Sequence, residues 1–222
     1  PFCLLKGFVM KALSFFFFFS SFPALIAALF FCCSFSRAAS SAADVVISEF
    51  MASNATILED ADDDSEDWIE LHNRGSETVA LENWTLTDDP SLQDRWHFPA
   101  VTLEAGGYLV VFASGKNRTP ADGDELHTHF QLDRSGEYLA LCDPDGAIAC
   151  EYAPEFPAQR RDYSYGLNRS GTMTYFLEAT PGDENSTQTA SGLVKAPSFS
   201  PGRGVYDGQV QVELQTVTPD AV

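Results

Sequence analysis

Between Val45 and Phe176 a turn signal interrupts the chain roughly every 8 to 12 residues, and no long stretch repeats its apolar residues at the helical period. The signals include Asn73-Arg74-Gly75, Thr87-Asp88-Asp89-Pro90, Gly106-Gly107, Arg134-Ser135-Gly136 and Asp143-Pro144-Asp145-Gly146. Segments so short bury apolar surface only by alternating it and stacking two sheets, so the pattern predicts an all-β sandwich. Asp67-Trp68-Ile69-Glu70-Leu71-His72-Asn73 shows the alternation best. Ile69 and Leu71 fall on one face, and Trp68, Glu70 and His72 on the other, which predicts a half-buried strand. Tyr108 to Ala113 is the most apolar run and is expected at the sheet centre.

The ends read differently. From Met10 the order is a basic residue, an apolar run from Leu13 to Cys33, then Ser36-Arg37-Ala38 and Ser40-Ser41-Ala42. Charge, apolar core and small-residue cleavage site make a secretory signal, so residues 1–43 are expected to be a signal peptide with some upstream residues. The same run is long enough to be an uncleaved membrane anchor, the one circumstance in which a membrane partner is expected. Residues 44–180 form the sandwich in this reading, 181–196 are small and polar as in a linker, and 197–222 begin a second, truncated β domain.

From Asp44 onward there are 32 acidic and 10 basic residues, a net charge of −22. Such a surface repels phosphate backbones, so nucleic acid is not an expected partner. Cys142 and Cys150, the two cysteines after the leader, flank the Asp143–Gly146 turn. A hairpin closed there pairs Cys142 with Ala147 and Cys150 with Leu139, putting the sulfurs on opposite faces. Two free thiols are expected.

Few residues invite chemistry. Glu59 to Asp67 is a carboxylate-dense loop, and hard cations such as Ca²⁺ take several carboxylate oxygens. If calcium binds, Asp60, Asp62, Asp64 and Asp67 are the expected ligands, although the spacing is not that of an EF-hand. Without calcium no cofactor is expected. His127-Thr128-His129 puts two imidazoles on one strand face, a zinc-compatible spacing, with Asp124 or Glu125 as a third ligand. Trp68, Trp84 and Trp96 are either a sugar-stacking platform or buried core. The chain has no Gly-x-Ser-x-Gly, no His-Glu-x-x-His and no glycine-rich phosphate loop.

Several segments, in this order, carry a resemblance to a known family. They are Ile47-Ser48-Glu49-Phe50-Met51-Ala52-Ser53-Asn54, Asp67 to Asn73, Leu81-Glu82-Asn83-Trp84-Thr85-Leu86-Thr87-Asp88 and Gly106 to Val111. Leu126 to Leu132, Ser135 to Leu139 and Thr180-Pro181-Gly182 follow. Together they resemble a lamin-tail domain of the bacterial, exported kind. The resemblance implies an immunoglobulin-like β-sandwich and supplies no catalytic residues. Residues 197–222 resemble the start of the small β domain that ends some chitobiases and hexosaminidases.

The function these readings support is a non-catalytic, exported binding or scaffold module. Its expected place is periplasmic, cell-surface or extracellular, and its expected partner a protein or glycan there. Two alternatives remain: the accessory front of a larger exported enzyme, and a calcium-dependent adhesion module.

Overall fold

The computed structural model describes residues 44–120 and 124–218, so the expected signal peptide and cleavage site at residues 1–43 lie outside the described residues. The first strands are β1 (Val45–Met51), β2 (Trp68–Asn73), β3 (Val79–Ala80), β4 (Thr85–Thr87) and β5 (Trp96–His97). Next come β6 (Thr102–Leu103), β7 (Tyr108–Phe112), β8 (Leu126–His127), β9 (Leu139–Cys142) and β10 (Ile148–Tyr152). The last are β11 (Ser164–Leu167), β12 (Met173–Phe176), β13 (Thr189–Ala190), β14 (Ser198–Ser200) and β15 (Glu213–Gln215). The largest sheet runs β13-β12-β11-β1-β2-β7-β8 and the next β10-β9-β4-β5, with β3-β6 and β14-β15 as two-stranded sheets. The facing sides of the two larger sheets form an immunoglobulin-like β-sandwich, as the turn spacing predicts. The pairings are antiparallel except β7 with β8, which is parallel.

Val45, Ile47, Phe50, Ile69 and Leu71 of the large sheet meet Leu86, Leu139, Leu141 and Tyr152 of the small one. Phe50 packs edge-on against Tyr152 (4.9 Å between centroids) and tilts against Phe156 (4.8 Å). The Tyr152 hydroxyl spans the layers and donates to the Ile47 carbonyl at 3.0 Å. Tyrosine meets a polar requirement here that a phenylalanine would leave unmet.

Strand β1, with all seven residues buried, occupies the sheet centre. That place was expected for the Tyr108 run, but β7 is the penultimate strand. The two-residue β8 covers only Val111 and Phe112, leaving Tyr108, Leu109 and Val110 half-buried. Apolar content alone does not place a strand when its neighbour is this short.

Alternation in β1 is broken by a bulge between Ile47 and Glu49. Ile47 stands opposite Leu71 and Phe50 opposite Ile69, all four in the core, while Glu49 stands opposite Glu70 on the outer face. Strict period two would drive Glu49 into the core. The extra residue at Ser48 rotates it out and returns Phe50 to the inside.

The cysteine hairpin is also bulged, between Ile148 and Cys150. Cys142 pairs with Ile148 and Cys150 with Leu141, rather than with Ala147 and Leu139 as expected. The sulfurs still lie on opposite faces, because Cys150 and Leu141 face the core and Cys142 contacts Thr85. Both thiols are free.

Residues 181–196, read as a linker, begin in contact with the large sheet and contribute β13 to its edge. Beyond them β14 and β15 pair through Phe199 and Leu214, each more than half exposed.

Candidate functional site

The Trp68 strand was expected to be half-buried, yet the outer face of the large sheet that it belongs to is covered along much of its length. It divides into three zones set by the outward residues of β2, which are Trp68, Glu70 and His72.

At the first zone Trp68 is fully buried against Met51 and Phe112, with Leu58 and Ala179 closing over them. Trp84 and Trp96 are buried in the other cluster, between the sheets. The three indoles form no exposed platform.

The middle zone holds two carboxyl groups with no measurable exposure, Glu49 and Glu70, side by side across β1 and β2. Glu70 accepts from the Ser48 hydroxyl at 2.6 Å and from the Gly182 amide at 2.6 Å. Glu49 accepts from the Ser164 hydroxyl and from the Thr180 hydroxyl, the latter at 3.0 Å. The segment from Thr180 to Asn185 is thereby strapped over the sheet, and Asn185 completes it by donating to the carbonyls of Ser48 and Leu167, both at 2.9 Å. Burial outweighs these hydrogen bonds and raises both pKa values, that of Glu70 to about 7, with Glu49 and Asp183 pushing it the same way. The alternation pattern places Glu70 outward but carries no sign of this strap. The bulge at Ser48 and the Thr180-Pro181-Gly182 run are the sequence signals that bear on it.

The third zone is a pocket of about 270 Å³ at the His72 end. His72 stacks on Tyr108 with centroids 4.2 Å apart. Arg74, Asn168, Arg169, Glu184 and Asn185 stand around them. Burial, and then Arg74, lower the His72 pKa, so the ring is neutral at pH 7.

The acidic loop lies at the opposite end. Asp60, Asp62 and Asp64 converge, but on the ammonium of Lys116, which contacts Asp60, Asp64 at 2.8 Å, Asp62 at 3.1 Å and Glu66 at 3.5 Å. Arg118 also binds Asp62. Burial disfavours the Lys116 charge, but the hydrogen bonds it donates to Asp60, Asp64 and Asp62 outweigh that and raise its pKa strongly. Asp67 does not join them; its carboxylate caps the Asn54 amide at 3.1 Å, and burial raises its pKa to about 6. Three of the four residues expected to hold calcium are thus brought together, with Glu66 in place of the fourth. Asp60, Asp64 and Glu66 each offer an oxygen within 4.8 Å of the others. A calcium ion there would have to displace Lys116, which comes from a loop more than fifty residues away and is invisible to any reading of the acidic run alone. Lys116→Met is expected to leave mutually repelling carboxylates, lower the melting temperature and make residues 59–66 a preferred proteolysis site. Limited proteolysis and a thermal melt of the variant check this; wild-type behaviour in both would show that Lys116 does not hold the loop.

The two imidazoles expected to converge do not. β8 ends at His127, which is buried and stacked on Phe112, whereas His129 is exposed. His127 Nδ1 instead meets the Ser114 hydroxyl at 2.9 Å, and Glu125 lies 3.7 Å from Nε2. These are the residue types of a nucleophile, base and orienting acid. However, Ser114 is 7% exposed and His127 fully buried, so a scissile carbonyl has no approach to the hydroxyl.

The outer-face layout can be compared with known proteins. No curated protein matches the chain. A family model described as the Lamin Tail Domain matches residues 38–155, running through β1 to β10, with the strapping segment beyond it. The motifs around Ile47, Trp68, Trp84 and Gly107 lie inside that match, on strands of the sandwich they were expected to build, and the chain belongs to the Lamin Tail Domain family.

Proposed function

We propose that this protein is an exported, non-catalytic module that binds a protein or glycan, or positions further domains, at the cell surface. The lamin tail domain is a non-enzymatic domain type, which supports the non-catalytic half of the reading. The observation that carries the binding half is the contrast along the outer sheet face. The reactive-looking carboxyls of Glu49 and Glu70 are sealed and spent on the strap, while the His72–Tyr108 end stays open and polar. The leader-like order of residues 10–43 and the −22 balance support export.

Two measurements test the proposal. The full chain, expressed in a secretion-competent bacterial host, is expected outside the cytoplasm with its amino terminus near Ala39 or Ala43, as read by terminal sequencing. It is also expected to co-sediment with isolated cell envelopes. Cytoplasmic protein with an intact leader would refute export, and absence from the envelope pellet would refute binding. A calcium-dependent version of this role is less well supported, since Lys116 already supplies the positive charge at the acidic loop.

A further inference from the structure

We propose that the pocket at the His72 end of the large sheet is a subsite for one neutral sugar ring, which gives the binding role above a ligand class and rests on that reading. The pocket is small and composite. At about 270 Å³ it falls below the roughly 300–1,000 Å³ typical of drug-sized ligands, leaving room for one ring rather than an extended molecule. Its walls come from β1, β2, β7, the end of β11, the turn after β11 and the strap.

The charges at the rim select against ions of either sign. Arg169 and Glu184 pair at 2.7 Å while each stays more than half exposed, so both present hydrogen-bonding edges to a visitor. An anion entering here meets the Glu184 carboxylate, and a cation meets Arg169 and Arg74. A hydroxyl suits both edges, because it accepts from a guanidinium and donates to a carboxylate, and a vicinal pair of hydroxyls does both at once. The neutral His72 ring adds one donor and one acceptor. Asn185 lines the pocket from the strap, held in place because its amide nitrogen donates to the Ser48 and Leu167 carbonyls. The stacked His72–Tyr108 pair offers half-buried ring surface for the apolar side of a pyranose.

A single ring held by a few hydrogen bonds binds weakly, so a Kd on the order of 1 mM is expected. The experiment is a protein-observed NMR titration with methyl glucoside, methyl galactoside and N-acetylglucosamine, with glucuronate and glucosamine as charged counterparts. At least one neutral sugar is expected to give saturable shifts centred on His72 and Tyr108, with the charged analogues at least about fivefold weaker. Arg169→Met and Glu184→Gln, which alter exposed side chains and so leave the fold intact, are each expected to weaken binding about tenfold. Arg160→Ser, in a separate cleft, should change nothing. Tighter binding of glucuronate or glucosamine, shifts away from His72, or indifference to Arg169→Met and Glu184→Gln would each overturn the proposal. Envelope co-sedimentation separates the two levels: pelleting without sugar binding removes the sugar subsite and keeps the binding module, whereas loss of both removes both.

Discussion

Raising the pH from about 5 to 8 is expected to lower the melting temperature of this domain by on the order of 10 °C, the reverse of a protein held by ordinary surface carboxylates. The cause is Glu70. Burial raises its pKa from 4.5 to about 7 in the folded state, and Glu49 beside it shifts the same way. Between those values the unfolded chain has released a proton that the folded chain retains, so each step up in pH favours unfolding. Below 4.5 both states are protonated, and above about 7 both are ionised, so the contribution is flat outside that window. At about 1.4 kcal/mol per pH unit, Glu70 alone loses roughly 3 kcal/mol across it. Asp67, raised by burial from 3.8 to about 6, adds in the same direction over a lower window. Asp60 and Asp162 have pKa values lowered from 3.8 and oppose the trend only in stronger acid, which sets the optimum at about pH 4 rather than at the acid extreme. Glu70→Gln keeps the side-chain shape and cannot ionise, and the Ser48 hydroxyl can turn to accept from the new amide. The variant is expected to melt higher than wild type at pH 8 and to show a shallower slope. A wild-type melting temperature as high at pH 8 as at pH 5, or an unchanged slope in Glu70→Gln, would mean that the buried carboxyl is not the titrating group.

Gly166→Ala is expected to cost about 4 kcal/mol or more, which few single-methyl additions do. Gly166 lies in β11 opposite Glu49, where the β1 bulge presses the Ser48 backbone against it. A Cβ there would meet the Ser48 carbonyl oxygen at 2.1 Å and the Glu49 Cα at 2.8 Å. These are backbone atoms and cannot swing aside. The same carbonyl accepts from Asn185, so parting β1 from β11 also loosens the strap over Glu49 and Glu70. Glycine inside a strand marks such a close backbone approach. Gly192→Ala is the control, since nothing lies within 4 Å of its added carbon; a change within about 0.5 kcal/mol is expected there. Urea denaturation of both variants decides the matter, and equal stabilities would show that the bulge yields at no cost.

The second result depends on the β1 bulge and the first on the strap, and neither is written in the local sequence pattern. Ile69 and Leu71 inward with Trp68, Glu70 and His72 outward was legible, because side chains on a regular strand have only two directions. The sandwich itself was legible for the same reason, from turn chemistry and alternation repeated over many short segments. The free thiols followed from facing alone and survived a register error, since the bulge after Ile148 shifted the partners without bringing the sulfurs onto one face. That Trp68 and Glu70, two of the three outward residues of β2, are themselves buried was not legible. Their cover comes from Leu58 on one side and Ala179 to Asn185 on the other, the latter more than a hundred residues along the chain, and no local pattern reports a contact at that distance.

The local pattern of hydrophobic and turn residues therefore determined the class of fold, the facing of its clearest strand and the presence of a dense acidic loop. Tertiary structure alone decided what those features do. It set Lys116 among the carboxylates expected to hold calcium, turned Glu49 out of the core through a bulge, and laid Thr180 to Asn185 over it. The physical reason is range: alternation and turn preference act within a few residues, whereas charge pairing and burial depend on whichever distant segment the closed fold brings alongside.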